Sequence, residues 1–96
     1  MKIETKIKYA AVTPDGKFPS MFSEADIYVR KVLAEKNLQA TIAMYKRQEK
    51  DALHYLERIP QDADYYLNSL EIIKAKIQEL ESCKIEKIEI SFTVVA

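Results

Sequence analysis

The chain of 96 residues predicts an α+β fold in the order β-(β)-α-α-α-β. Terminal antiparallel strands, with room for a short hairpin strand, accompany a capped helix and a long antiparallel helical hairpin. Three observations carry this expectation. Both ends of the chain alternate apolar and polar residues with period two. Two central stretches step by three and four instead. A single proline, Pro60, separates those two stretches.

The first strand spans 2–12, with Ile3, Thr5, Ile7, Tyr9 and Ala11 on one face and Lys2, Glu4, Lys6 and Lys8 on the other. Pro14-Asp15-Gly16 supplies turn chemistry, because proline presets φ and glycine accepts positive φ. A return strand over 17–21 is confined to an edge by Pro19. Ser23 then reads as an N-cap, with Asp26 completing a capping box and Phe22 and Ile27 forming a hydrophobic staple. The first helix is expected over 24–36, burying Ile27, Val32 and Leu33. Asn37 ends it as a left-handed terminator; a helix continuous through Asn37 is the alternative.

The second helix is expected over 38–59, on the stripe Leu38, Ile42, Tyr45, Ala52, Leu56 and Ile59, interrupted by Glu49. Glu49 reads as a polar contact in an oligomer seam. The third helix starts at Gln61 or Asp62 and runs to Ser82, on the stripe Tyr66, Leu70, Ile73, Ile77 and Leu80. A connection of a few residues folds the pair back as a hairpin with coiled-coil-like packing. The last strand presents Ile88, Ile90, Phe92 and Val94 on one face. Antiparallel pairing of the terminal strands would set Lys6 and Lys8 across from Glu86 and Glu89.

Ninety-six residues make one domain, 1–96. No apolar run reaches the roughly 18 residues of a membrane span, and MKIETKIKYAAV lacks the apolar core of a signal peptide. One cysteine, Cys83, permits no internal disulfide, so the expected compartment is a reducing cytoplasm. A net charge of zero argues against nucleic-acid binding through phosphate neutralisation. The charge is nonetheless polarised. Residues 1–48 hold nine Lys and Arg against five Asp and Glu, and residues 49–96 hold six against ten. Such polarity is neutralised within a fold or orients a partner.

Catalytic constellations are missing from the pattern. Gly16-Lys17 lacks the preceding glycine of a phosphate loop, and Pro14 and Pro19 each delete an amide donor. The loop 13–26 therefore reads as a turn and a cap. Asp51 and His54 share the spacing of a carboxylate–histidine metal pair, but His54 is the lone histidine and no second motif accompanies it. Cys83 ends a helix, where the dipole raises a thiol pKa. No cofactor, metal ion or catalytic residue is expected, and the chain does not read as an enzyme.

Binding is the remaining class. Two sheet edges and a slender hairpin leave incomplete elements, and association with further copies of the chain would complete both. The chain is expected to act as an accessory or inhibitor-type protein that blocks a partner protein. Its contact residues would be Tyr55, Glu57, Asp62, Asp64, Tyr65 and Glu71, where tyrosines bury large area at low entropic cost. Small domains of this class are common among accessory proteins of phages and mobile elements, an analogy of size and class alone. Two alternatives stand beside it. One is sequestration of an anionic ligand such as a nucleotide between subunits by Lys17, Ser20, Ser23 and Arg30. The other is a structural assembly subunit.

Overall fold

The structure, a computed structural model, describes residues 2–95, and the side chains of all of these except Pro60, Phe92 and Val94. Strand β1 (Lys2–Val12) leads through a long loop with a 3-10 turn (Glu24–Asp26) into helix α1 (Lys31–Arg58). A second 3-10 turn (Pro60–Asp62) connects α1 to helix α2 (Ala63–Glu81), and strand β2 (Lys84–Val94) follows. The fold is α+β, a two-stranded antiparallel sheet beside a helical hairpin, as the periodicities predict. The return strand over 17–21 does not form.

Heptad-like spacing builds the hairpin. Leu38, Ile42 and Ala52 of α1 and Leu70, Ile77 and Leu80 of α2 are buried, all six from the expected stripes. Tyr45, Leu56, Ile59, Tyr66 and Ile73 are half-buried on the same seam, and so is Glu49. Lys76 caps the seam by placing its ammonium 5.3 Å from the Tyr45 ring centre. Arg58 is the last helical residue of α1, since the following proline disfavours the helical conformation at Ile59.

The first helix departs from expectation. Ser23 does form a capping box with Asp26, but the box caps only the short 3-10 turn, and the chain is extended again at Ile27. Tertiary pairing overrides the cap: Tyr28 exchanges both backbone hydrogen bonds with Tyr9 of β1, at 2.7 and 2.8 Å. The α-helix then starts at Lys31 and runs unbroken through Asn37. The Asn37 amide donates to the Asp26 carboxylate at 3.2 Å, so its side chain anchors the helix to the loop. Starting the helix later turns its face. Ala34 and Leu38 are buried, Leu38 in a cluster with Ala11 of β1, while Val32 and Leu33 are exposed and Ile27 is half-buried.

The strands pair antiparallel over their whole length, from Lys2 opposite Val94 to Val12 opposite Lys84. This register overturns the expected lysine–glutamate pairs. Lys6 faces Ile90, Lys8 faces Ile88, Glu86 faces Ala10 and Glu89 faces Ile7. Side chains alternate between the faces of a sheet. Odd positions of β1 therefore share a face with odd positions of β2, where Lys87, Glu89, Ser91 and Thr93 lie. The apolar residues of β2 at positions 88 and 90 fall on the opposite face, with the β1 lysines. Each face carries one apolar column and one polar column. The side chains of Phe92 and Val94, read as part of the β2 apolar face, lie outside those described.

Both faces are covered only where the ribbon meets the rest of the chain. Ala10 and Ala11, consecutive and so on opposite faces, are each buried, and Ala11 packs with Leu38, Ile42 and Leu80. Met21, Phe22, Tyr45, Cys83 and Ile85 surround that cluster. Farther out, among the described side chains, Ile3 is 73% exposed and Ile7 46%, while Ile88 and Ile90 are half-buried. The radius of gyration is 18.2 Å, against ~12.5 Å for a compact chain of this length. With α1 alone about 42 Å long, the 65 Å long axis requires ribbon and hairpin to project in opposite directions.

The proline-rich loop closes tightly. Gly16 N–H donates to the Thr13 carbonyl at 2.9 Å and Thr13 N–H to the Lys17 carbonyl at 2.8 Å, a three-residue connection with Gly16 at φ +78°. Nothing lies within 4 Å of a Cβ built there, so a side chain would meet only the backbone penalty of positive φ. Gly16→Ala is expected to cost about 1–2 kcal/mol, read as a lower midpoint in urea unfolding. Gly16→Asn, which tolerates that conformation better, should cost less. Equal midpoints for wild type and Gly16→Ala would refute the constraint.

Candidate functional site

The turn of the helical hairpin gathers four aromatic rings. Tyr55 lies in the last turn of α1, and its carbonyl accepts the Ile59 N–H at 2.8 Å that closes the helix. Tyr65 and Tyr66 lie in the first turn of α2. The Tyr55 and Tyr66 rings stack with centres 5.7 Å apart and planes 17° from parallel. Tyr65 meets Tyr66 edge-on at 5.1 Å, and His54 meets Tyr55 edge-on at 5.9 Å. Such ring pairs add about 0.5–1.5 kcal/mol beyond area burial, so the cluster holds the turn together as well as presenting a surface.

That surface is open. Tyr65 is 68% exposed and Tyr55 47%. Leu53 and Leu67 are exposed as well, but each is two positions along its helix from a tyrosine and so on another face. Glu57, Asp62 and Asp64 ring the turn, all exposed, with Arg58 the one guanidinium among them. Five of the six expected contact residues therefore converge at one pole. Glu71 does not: it lies seven residues, ~10 Å, along α2 from Asp64. Tyr66, counted in the core stripe by its spacing, belongs to the cluster as its central ring. The signal in the sequence was symmetry about Pro60, which places Tyr55 and Tyr65 five residues away on either side.

The four residues expected to hold an anion do not meet in one pocket. Lys17 lines a cavity of about 910 Å³ between the loop and the ribbon, with Phe18, Lys84, Glu86 and Ile88. Ser20 is engaged by a carboxylate, since both its N–H and its hydroxyl donate to Glu79, the hydroxyl at 3.0 Å. The Ser23 side chain accepts the Ala25 N–H at 3.3 Å, and its own N–H donates to Asp26 at 2.9 Å. Arg30 is exposed at the start of α1. The loop's hydroxyls are thus occupied by its own fold and by Glu79.

Cys83 follows α2 and donates its thiol to the Glu79 carbonyl at 3.2 Å. Burial, and after it the nearby Glu79 charge, push its pKa above the ordinary thiol range. The thiol form is therefore held, and the group is a poor nucleophile at neutral pH. Among the described residues no three His, Cys, Asp or Glu side chains are grouped as metal ligands. No helix among them is long and apolar enough to cross a membrane. No protein-family model matches the chain, and no curated protein or solved structure is significantly similar to it.

Proposed function

We propose that the chain is a non-enzymatic binding protein whose hairpin turn engages a basic surface on a partner protein. The observation that carries this reading is the convergence of Tyr55, Tyr65 and Tyr66 with Glu57, Asp62 and Asp64 at one exposed pole. Aromatic faces attract cationic side chains, and surrounding carboxylates steer them in and favour them over anionic competitors. Tyrosines prearranged by stacking lose little side-chain entropy on binding. The cavity beside Lys17 offers a weaker case for ligand binding, because an acid, Glu86, shares its lining with Lys17 and Lys84.

Quantitative affinity capture from cell extract tests the reading, with wild type, Tyr65→Ala and Leu67→Ala as parallel baits. A partner of net positive charge should be retained by wild type and by Leu67→Ala, and released by raised salt. Tyr65→Ala should retain at least tenfold less, the size of a binding hot spot. Helicity of Tyr65→Ala should stay at the wild-type value, since the ring is mostly exposed. Identical protein sets on wild type and Tyr65→Ala would refute the proposal.

A further inference from the structure

The two edges of the ribbon are unlike, and the difference points to what covers one of them. Tyr9 gives both its N–H and its C=O to Tyr28, so it faces away from β2. In an antiparallel ladder both groups of a residue point the same way and alternate along the strand. Odd residues of β1 therefore face outward, and the register makes Ile85, Lys87, Glu89, Ser91 and Thr93 the outward-facing residues of β2. The β1 edge is occupied at Tyr9. No backbone partner meets the β2 edge among the described residues.

Charge separates the edges further. Beyond the Tyr28 bridge, a twofold pairing of β1 with a second β1 over five residues or more sets like charges opposite. Lys2 falls against Lys6 or Lys8 of the other copy, or Lys6 falls against its own counterpart. Lysines on an edge strand disfavour pairing of this kind. The run Ile90-Ser91-Phe92-Thr93-Val94-Val95 has no charge, proline or glycine. A twofold pairing of β2 about Ile90 puts Lys87 opposite Thr93 and Glu89 opposite Ser91, and no charge meets its like. The row of free amides and carbonyls is then its own complement.

We propose that β2 pairs antiparallel with β2 of a second copy of this chain, making a four-stranded sheet in the order β1-β2-β2-β1. The ribbon ceases to be a marginal two-stranded unit, and the strand without lysines in its outer half becomes central. Two 65 Å protomers overlapping by one strand of about 36 Å form a particle ~95 Å long. The hairpin turns lie at its two poles, so self-association leaves both available.

Paired proline substitutions test this. Thr5 and Ser91 are cross-strand partners joined by a side-chain hydrogen bond of 3.3 Å, and both point their N–H groups outward. Ser91→Pro and Thr5→Pro each lose that bond, and each spares the β1–β2 ladder. They differ in which edge is blocked. Light scattering should give wild type and Thr5→Pro twice the chain mass, and Ser91→Pro the chain mass alone. Small-angle scattering of wild type should show a maximum dimension near 95 Å. Amide exchange in wild type should protect Lys87, Glu89, Ser91 and Thr93 and leave Ile3, Thr5 and Ile7 fast.

A wild-type monomer at millimolar concentration would overturn the proposal. So would loss of the dimer in Thr5→Pro rather than Ser91→Pro, a dimer no longer than one protomer, or filaments from β1-to-β2 pairing. If Ser91→Pro does not fold, Ser91→Lys substitutes for it, and the wild-type exchange pattern decides without either variant. Fast exchange at Lys87, Glu89, Ser91 and Thr93 in a dimer rejects the β2 edge.

Discussion

Leu80→Ala should be the most damaging truncation in the chain. Leu80 is 0% exposed and packs where α2 meets Leu38 and Ile42 of α1 and Ala11 of β1. Among the described residues, four of the nine buried hydrophobics, Ala10, Ala11, Ala34 and Ala52, are alanines and have little side chain with which to fill a void. A buried leucine truncated to alanine costs about 2–5 kcal/mol, more where the site cannot collapse. For a domain of this size the melting temperature should drop by roughly 10 °C or more. Leu67→Ala on the exposed face of the same helix should change stability by no more than about 0.5 kcal/mol. Urea unfolding followed by circular dichroism measures both, and equal effects would show that the junction is not the core.

Glu79→Ala is expected to release the proline-rich loop. The Glu79 carboxylate takes two hydrogen bonds from Ser20, next to the fully buried Pro19 and just before Met21 and Phe22, which pack on the core. Both bonds lie at the surface, so together they are worth about 1–2 kcal/mol, toward the low end for charged acceptors. Trypsin cleavage after Lys17 should accelerate about tenfold, in line with that change in opening free energy. The Cys83 thiol offers a second reading. With the carboxylate gone only burial holds its pKa up, so alkylation at mildly alkaline pH should speed up as well. Glu79→Gln separates the two effects, restoring one acceptor but not the charge. The sign of the pH effect follows from the upward shift. Stability linked to the thiol is present below its unfolded-state pKa, and it is lost as pH rises through the folded-state value. Wild-type rates of cleavage and alkylation in Glu79→Ala would contradict both parts.

How much of this was legible depends on the range of the forces involved. The Ser23–Asp26 box, the turn at Gly16 and the break at Pro60 are local, and each forms where its residues predict. The seam is a periodicity held over nearly six turns from Leu38 to Ile59 and about four from Tyr66 to Leu80, and it too was readable. The helix boundary at Asn37 was not, because Asp26 and Tyr9 decide it from other parts of the chain. Strand register failed for a related reason: no hairpin turn joins β1 to β2, so nothing local aligns them. Alternation assigned each strand an apolar face but not how the two faces combine, and the pairing set the two apolar columns back to back. At the site, Tyr55 and Tyr65 stood out by falling off the stripes. Tyr66 was hidden by falling on one.

The pairing of Lys2 with Val94 also has a kinetic consequence. The helical hairpin is made of contacts close in sequence and joined by a short turn, whereas every rung of the ribbon joins residues at least 72 positions apart. Contacts of that separation require a large loop to close before they return any free energy. The hairpin should therefore acquire structure first, and zippering of the strands should be the slow event. Until it happens, β1 and β2 are solitary extended segments with both edges exposed. During that interval an uncharged stretch such as 90–95 is most open to mispairing, so refolding yield should fall as protein concentration rises.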